Sequence, residues 1–278
     1  MTSRSSWATD MGLTTAQATY RQPGKAQGPT AIEVKDLRVR YRRRDADALS
    51  GLDLSIGYGE SVALIGTNGA GKSTLLRCLV RLIEPADGTI TIAGTEVTGA
   101  SRSALRGIRR DVGFVFQRFH LIPRLSAFHN VVHGAMGRNG SRCAWPLTSP
   151  REVRREAMQC LERVGLAEHA DRRVDTLSGG QQQRVAIGRM LMQRPRIVLA
   201  DEPVASLDPV SANAVMELLS SIAAERGVTV VMALHQIDLA LQYADRVVGL
   251  RNGAVEFDRP SSGCDARQLN PIYAGATP

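Results

Sequence analysis

Apolar residues recur along this chain in patterns that predict β-strands. Apolar and polar residues alternate in two early segments, as in half-buried antiparallel strands; the apolar residues are Ile32, Val34, Val39 and Tyr41, followed by Leu52, Leu54 and Ile56. Further short strands are predicted at residues 62–65, 88–92, 111–116, 197–200, 228–233 and 247–250. Several of them are continuous apolar runs, which are typical of strands buried on both faces.

Between these strands, apolar residues recur at the three- and four-residue spacing of helices that bury one face. The four predicted helices carry Leu75, Leu76, Leu79, Leu82 and Ile83; Val153, Ala157, Leu161 and Val164; Val185, Ile187 and Met190; and Ala214, Val215, Leu218, Leu219 and Ile222. Strands that alternate with helices indicate an α/β fold, with a largely parallel sheet covered on both faces.

The order of these elements also predicts how the chain is organised. The segment 118–191 has a helical character, so we predict a helical insertion between two core segments, 31–117 and 192–258. The alternating strands add an antiparallel part to the first core segment. Residues 1–30 are rich in Ser, Thr, Gln and Gly, which predicts a mobile N-terminal extension. Residues 259–278 are predicted to be a C-terminal tail.

Composition narrows the possible classes of protein. The chain has 278 residues, of which 43% are hydrophobic, enough to bury a core. No apolar run approaches the roughly 20 residues of a membrane-spanning helix, and the start lacks the apolar stretch of a secretory signal, so we expect a cytosolic location. The net charge of +8 would suit nucleic acid or an anionic membrane surface. Only 4% of residues are aromatic and no basic patch is interleaved with them, which favours a generally basic, solvated surface. The four cysteines form no C-x-x-C pair, which indicates neither a zinc site nor a disulfide framework.

A glycine-rich segment lies between the strand at 62–65 and the helical pattern that follows it. Its spacing is Gly-x-x-x-x-Gly-Lys-Ser, and its residues are Gly66, Thr67, Asn68, Gly69, Ala70, Gly71, Lys72, Ser73 and Thr74. Glycines let backbone N–H groups turn toward phosphate oxygens, and the following helix points its positive end at the same place. Lys72 would reach the β and γ phosphates and Ser73 would ligate Mg²⁺. A chance glycine-rich turn is the alternative, but the flanking strand and helix favour a phosphate loop.

Two carboxylates follow the apolar strand at 197–200. Successive strand side chains point to opposite faces, so Asp201 and Glu202 can have different roles. Asp201 would help hold Mg²⁺, and Glu202 would polarise an attacking water. The alternative is a pair of surface acids in a loop. Phosphoryl transfer requires positioning, charge neutralisation and an oriented water, which these residues and the phosphate loop would supply together.

A second segment of small residues precedes the helical pattern at Val185. Ser178, Gly179, Gly180 and Gln181 predict another helix N-terminus that binds an anion through its exposed N–H groups. An ordinary serine cap is the alternative, although it would not require two glycines. A single chain has no evident use for two phosphate-binding helix starts for each nucleotide. In two chains placed head to tail, each nucleotide could contact one such helix start from each chain.

The order of these motifs resembles that of the ATP-binding subunits of ABC transporters. The resemblance runs from about residue 32 to residue 257, and its motifs are, in order, the loop with Lys72, Gln117, the Ser178 segment, Asp201-Glu202, Ser206-Leu207-Asp208 and His235. It implies the ABC ATPase fold, which is a P-loop NTPase core with an inserted α-helical subdomain. It also implies a homodimer in which each ATP lies between the phosphate loop of one chain and the Ser178 segment of the other.

The resemblance implies roles for individual residues. Tyr41 would stack on adenine, Gln117 would contact the metal and sense the γ-phosphate, and Asp208 would support the dimer interface. His235 would contact the γ-phosphate and orient the water. The implied catalytic residues are therefore Glu202, His235, Lys72 and Gln117. The implied ATP contacts are Tyr41, the phosphate loop and the Ser178–Gln181 segment, and the implied Mg²⁺ ligands are Ser73, Gln117 and Asp201.

Three segments, 117–126, 199–209 and 234–238, resemble the ATPases of bacterial phosphonate importers, and His235-Gln236 replaces the more common His-Asp or His-Glu of other importers. The resemblance implies a peripheral subunit on the cytoplasmic face of the bacterial cell membrane. Membrane permease subunits would dock near residues 118–136, and an extracytoplasmic solute-binding protein would act indirectly; no nucleic acid partner is expected. The alternatives are the ATPase of another ABC importer, such as one for polar amino acids, and a soluble ABC ATPase.

Overall fold

The strands of the protein form two sheets. The computed structural model describes residues 29–41, 47–144 and 148–273; most of the predicted N-terminal extension, up to residue 28, lies outside these ranges. The strands are β1 (Thr30–Val39), β2 (Leu49–Gly57), β3 (Ser61–Ile65), β4 (Asp87–Ile92), β5 (Thr95–Glu96), β6 (Val112–Val115), β7 (Ile197–Asp201), β8 (Thr229–Ala233), β9 (Arg246–Arg251) and β10 (Ala254–Pro260).

The first sheet is antiparallel and has the order β2-β1-β4-β5. The predicted alternation is present in it, because apolar residues of β1 and β2 lie opposite each other: Ile32 pairs with Ile56 and Val34 with Leu54. All four side chains are buried, so this face of the sheet packs on the core. The first strand ends earlier than predicted, and Tyr41 lies just beyond it.

The second sheet carries the ends of the strands that precede the predicted site residues. Its order is β10-β9-β3-β8-β7-β6, and the strands from β9 to β6 are parallel while β10 is antiparallel to β9. Every residue of β7 and β8 is buried, which explains their largely apolar sequences. Because the strands are parallel, the segments that follow β3, β8, β7 and β6 meet at one edge of the sheet.

The helices cover this sheet and form the segment between β6 and β7. They are α1 (Lys72–Leu79), α2 (Arg102–Asp111), α3 (Ala127–His133), α4 (Met136–Asn139), α5 (Arg151–Arg163), α6 (Gly179–Gln193), α7 (Pro209–Arg226), α8 (Ile237–Tyr243) and α9 (Ala266–Leu269), with 3₁₀ turns at Ser141–Ala144, Ala167–His169, Val174–Thr176 and Asn270–Ile272. Val131 of α3, Leu161 of α5 and Ile187 of α6 are fully buried in one apolar cluster. Among the helices of the described ranges, none combines the length and apolar character needed to span a membrane.

Helix α1 is shorter than its apolar pattern predicts. The pattern continues to Leu82 and Ile83, but the helix ends at Leu79, and Leu82 is 51% exposed. The chain turns at Arg81, whose φ of 50° is left-handed. The Arg81 amide donates to the carbonyl of Cys78, and the Leu82 amide donates to that of Arg77. These two bonds form a Schellman motif, which satisfies the last carbonyls of the helix and stops it.

The last described residues, 261–273, pack on the core although their sequence shows no period. Helix α9 begins at a capping box in which Asp265 and Gln268 exchange hydrogen bonds. Leu269 and Ile272 are only 1% and 2% exposed and belong to the same apolar cluster as α8. A helix of four residues is too short to show helical periodicity, which is why the sequence predicted only a tail here.

Candidate functional site

The phosphate loop runs from the end of β3 to the start of α1 in a path that excludes side chains at two positions. Gly66 has φ 148°, and a Cβ atom there would lie 2.3 Å from the carbonyl oxygen of Leu250. Gly71 has φ 108°, and its Cβ would lie 2.7 Å from a methyl carbon of Leu49. Glycine alone accommodates both the backbone angles and these contacts. The backbone of the loop is therefore held against β9 and β2 before α1 begins.

Lys72 places a buried cation inside the phosphate loop. Its Nζ atom donates to the carbonyl oxygens of Gly66 at 2.7 Å and of Thr67 at 3.1 Å, and the residue is only 4% exposed. Burial lowers the pKa of the Lys72 ammonium, while the carboxylates of Glu202 and Asp201 oppose that shift. A buried ammonium with backbone partners is poorly solvated, so an anion placed in the loop would gain strong electrostatic stabilisation from it.

Ser73 and Asp201 come together from α1 and from the end of β7. The Ser73 hydroxyl donates to Oδ1 of Asp201 at 2.6 Å, and Arg77 donates to Oδ2 at 3.0 Å. Asp201 is 1% exposed, so both partners compensate a buried charge. A hydroxyl and a carboxylate are the hard oxygen ligands that Mg²⁺ accepts, and Mg²⁺ commonly completes its shell with substrate phosphates and water. These residues therefore fit a magnesium site that also requires the nucleotide.

No cluster of three or more His, Cys, Asp or Glu side chains within the described ranges is arranged to hold a metal without a further ligand. The oxygen donors that the structure brings together here are instead the Ser73 hydroxyl and the Asp201 carboxylate. When bound there, Mg²⁺ would neutralise the charge of the phosphates.

Three of the predicted catalytic residues form one hydrogen-bonded cluster. Glu202 follows β7, Gln117 follows β6 and His235 follows β8, so the parallel sheet brings all three to the same edge. Gln117 Nε2 donates to Oε2 of Glu202 at 2.8 Å. His235 Nε2 lies 2.6 Å from Oε1 of Glu202. Glu202 also has a φ of 51°, a left-handed conformation that costs a non-glycine residue energy and persists only where the surrounding contacts hold it.

A cleft of about 370 Å³ joins Glu202 to the phosphate loop. Tyr41, just after β1, and Ala48, just before β2, line it together with the residues of the loop from Asn68 to Thr74. The Tyr41 hydroxyl lies 3.1 Å from the Thr74 hydroxyl. The aromatic ring, the lysine and the carboxylate that line this cleft suit the base, the phosphates and the terminal bond of a nucleotide.

The Ser178 segment lies outside this cleft. Ser178 is the N-cap of α6 and forms a capping box with Gln181, so it is a true serine cap. The amides of Gly179 and Gly180 belong to the first turn of the helix and have no intrahelical acceptor. Asp208 caps α7, and its pKa is lowered by hydrogen bonds from Ser211. Among the described residues of one chain, Ser178 does not line the cleft that contains Lys72.

Two arginines support the site although the sequence reasoning did not select them. Arg77 contacts Oδ2 of Asp201, the carboxylate oxygen that Ser73 does not bind. The sequence could have indicated this residue, because it lies four positions after Ser73 and hence on the same face of the helix. Arg189 of α6 donates to the carbonyl oxygens of Phe119 at 3.0 Å and His120 at 2.6 Å. These contacts hold the loop that follows Gln117. The sequence could have indicated Arg189, because it is a charged residue inside an apolar helical pattern.

Comparison with known proteins identifies the family. A family model described as ABC transporter matches residues 49–205, which is more than half of the chain. The chain belongs to the ABC transporter family. The match includes the phosphate loop, Gln117, the Ser178 segment and Asp201-Glu202. The resemblance stated from the motif order is thereby confirmed.

Individual relatives of this ABC protein are similar over most of its length. The chain is 52% identical over 229 residues, 82% of its length and 85% of the relative, to the phosphonates import ATP-binding protein PhnC of Nocardia farcinica. It is 50% identical over 240 residues, covering 86% and 91% of the two chains, to the phosphate-import ATP-binding protein PhnC of Mycolicibacterium smegmatis.

Solved structures confirm the fold predicted from the sequence. The dimeric ATP-binding cassette MJ0796 in a post-hydrolysis state, bound to ADP and Pi, superposes with a TM-score of 0.75 at 36% identity, covering 84% of this chain and all of that one. The cbiO1 protein of Clostridium perfringens, part of the cbiONQ transporter complex, gives a TM-score of 0.75 at 30% identity over 88% of this chain and 96% of its own.

Proposed function

We propose that this protein is the ATP-hydrolysing subunit of an ABC importer for phosphonates or related organophosphorus anions. The observation that carries the hydrolytic part is the cluster of Glu202, Gln117 and His235 at the mouth of the cleft that contains Lys72. The cargo rests on relatives that are about half identical to this chain and are named as phosphonates import ATP-binding proteins.

The residues of the cleft have separate roles in phosphoryl transfer. Lys72 and the loop amides bind the β and γ phosphates, and Tyr41 stacks on the base. Glu202 accepts a hydrogen bond from the attacking water and polarises it, while His235 and Gln117 hold the two oxygens of that carboxylate. Ser73 and Asp201, with Gln117, would hold Mg²⁺. Positioning and charge neutralisation of this kind account for most of the catalysis of phosphoryl transfer.

The second half of each site comes from a second copy of the chain. The segment from Ser178 to Gln181 presents helix amides that do not line the cleft of their own chain. Two chains placed head to tail would bring these amides to the γ-phosphate held by Lys72 of the partner. The dimeric cassette with ADP and Pi supports this arrangement, because its fold matches this chain closely. ATP binding would close the dimer, and hydrolysis would reopen it.

The surface after Gln117 is proposed to receive the membrane permease subunits, near residues 118–136. Two large apolar side chains of this surface are exposed, Ile122 by 45% and Met136 by 41%, which is typical of a protein interface. A cleft of about 530 Å³ is lined by Met136 and by arginines, including Arg106 and Arg110. The subunit would thus sit on the cytoplasmic face of the membrane, while a solute-binding protein outside the cell supplies the cargo.

Inorganic phosphate is the second candidate cargo. A relative that is 50% identical to this chain is named as a phosphate-import protein, so the same ATPase type serves both anions. The residues of the nucleotide cleft do not discriminate between them, because the cargo passes through the permease rather than through this subunit.

Uptake by cells tests the proposal directly. A strain that lacks this chain is supplied with the wild-type chain or with Glu202→Gln, and uptake of labelled methylphosphonate, phosphate and a polar amino acid is compared. We expect wild type alone to restore methylphosphonate uptake. Restoration of phosphate uptake only would favour the second cargo, and restoration of amino acid uptake would overturn both. Copurification with two hydrophobic membrane subunits separates a transporter from a soluble ABC ATPase, which would be recovered without them.

A further inference from the structure

The C-terminal segment reaches the back of the hydrolysis site through one side chain. The Tyr273 hydroxyl donates a hydrogen bond to the backbone carbonyl oxygen of His235 at 3.0 Å. Tyr273 is half-buried, and its own amide donates to the carbonyl of Asn270 at 2.9 Å, which closes the last turn. The contact joins residues 38 positions apart in the chain, so it is a tertiary feature of the site.

The phenol has a defined position because the segment that carries it is anchored. Helix α9 starts at the capping box of Asp265 and Gln268. Leu269 and Ile272 are then buried in the apolar cluster that also contains Leu239 of α8. Helix α8 begins two residues after His235, so the anchored segment packs on the element that directly follows this histidine.

Tyr273 acts at the place where the backbone contacts between β3 and β8 come to an end. The amide of Leu234 donates to the carbonyl of Leu64 at 2.9 Å, and His235 follows immediately. On the β3 side the chain continues into Gly66 and the phosphate loop. Burial raises the pKa of the Tyr273 phenol, and a hydrogen bond with the Gly66 backbone opposes this shift. The Tyr273 hydroxyl therefore binds the peptide that directly follows the last β3–β8 contact, next to the strand that leads into the phosphate loop.

We propose that Tyr273 is a positioning residue for ATP hydrolysis, which holds the His235 backbone beside the phosphate loop so that the imidazole meets Glu202. The inference rests on the role proposed above for His235. A displacement of a catalytic group by a fraction of an ångström to one ångström lowers the rate strongly. A hydroxyl that fixes the peptide of His235 thus controls the geometry of the imidazole without contacting the nucleotide.

Tyr273→Phe removes the hydroxyl and keeps the ring, and Tyr243→Phe is its matched control. Tyr243 belongs to the same region of the chain, but its hydroxyl contacts Asn213 on α7, away from the site. For the full chain as a dimer, we expect Tyr273→Phe to lower kcat about three- to tenfold, with KM for ATP and the melting temperature close to wild type. The control should leave all three unchanged. Unchanged kcat for Tyr273→Phe, or the same change in both variants, would overturn the inference.

A double-mutant cycle with His235→Ala shows whether Tyr273 acts through His235. Residual hydrolysis is measured in single turnovers, and we expect Tyr273→Phe to cause no further loss in the His235→Ala background. A further loss of the same factor would mean that Tyr273 acts elsewhere. If His235→Ala hydrolyses ATP normally, the role proposed for His235 fails. If His235→Ala is impaired while Tyr273→Phe keeps its kcat, only the role of Tyr273 fails.

Discussion

His235 contacts Glu202, which lines the nucleotide cleft, with Nε2 of the imidazole 2.6 Å from Oε1 of the carboxylate. Gln117 holds the other carboxylate oxygen at 2.8 Å. Because both oxygens have partners on neighbouring strand ends, the carboxylate cannot rotate freely. Its left-handed backbone, with φ 51°, is retained by the same contacts. The geometry thus presents Glu202 in one orientation to whatever occupies the cleft.

Replacing Glu202 by Gln should separate ATP binding from hydrolysis. The amide keeps the shape of the carboxylate and its contact with His235, but it no longer attracts the proton of an attacking water. We expect turnover to fall by at least about a hundredfold while ATP still binds, so that a closed dimer accumulates in gel filtration with ATP. Glu217→Gln, on the exposed face of α7, is the control. A normal rate in Glu202→Gln would remove Glu202 from the mechanism.

Ser178→Arg should abolish hydrolysis while a single chain still binds ATP. Ser178 is exposed at the start of α6 and outside the cleft of its own chain, so a bulky cation there would obstruct only the partner's nucleotide. The lost cap costs about 1 kcal/mol of stability. Ser101→Arg is a matched control, because Ser101 caps α2 in the same way without belonging to the predicted site. A strictly monomeric preparation that hydrolyses ATP at full rate would contradict the shared site.

Arg189→Lys should reduce the rate of hydrolysis and the stability together. The guanidinium of Arg189 binds two carbonyl oxygens, those of Phe119 and His120, and a single ammonium cannot reproduce that fork. Both residues have positive φ, 56° and 47°, so the loop after Gln117 depends on these bonds. We expect the free energy of unfolding to fall by about 1 to 3 kcal/mol, measured by urea denaturation.

The rate in Arg189→Lys should fall through kcat, since Gln117 would be held less firmly, with the affinity for ATP retained. Arg184→Lys is the control on the same helix, because Arg184 makes one long contact, 3.4 Å to the carbonyl of Val164. Equal effects of the two substitutions would show that Arg189 contributes only as another charge on α6.

Glu156→Gln should weaken the helical segment between β6 and β7 in a pH-dependent way. Burial alone would raise the pKa of Glu156, but hydrogen bonds from Arg194 and Arg138 lower it below its usual value. A carboxylate with a lowered pKa stabilises the fold above its unfolded pKa of about 4.3, and this contribution is lost as the pH falls through the folded value.

The difference in unfolding free energy between wild type and Glu156→Gln should therefore be about 1 to 2 kcal/mol at neutral pH and shrink below pH of about 4. Glu162→Gln, exposed on the same helix, is the control and should show little difference. A stability difference that is independent of pH would show that the charge of Glu156 is not what matters.

Local backbone chemistry made parts of the site predictable. The spacing from Gly66 to Ser73 predicts a phosphate loop, because a loop that wraps phosphate needs glycines, a lysine and a helix start in that order. Asp201-Glu202 was recognisable because it follows a fully apolar strand. The end of α1 was not predictable, because Leu82 and Ile83 continue the apolar spacing while the hydrogen bonds of the turn at Arg81 stop the helix.

The sequence by itself determined the motifs, the alternation of strands and helices, and the family, since these depend on neighbouring residues and on their order. Only the tertiary structure showed which distant residues meet: Gln117 and His235 on Glu202, Arg189 on the loop after Gln117, and Tyr273 behind His235. The physical reason is that parallel strands align their ends at one sheet edge regardless of separation along the chain. The contacts of a single arginine or tyrosine, by contrast, follow no periodic pattern in the sequence, so the sequence does not indicate which residues they bind.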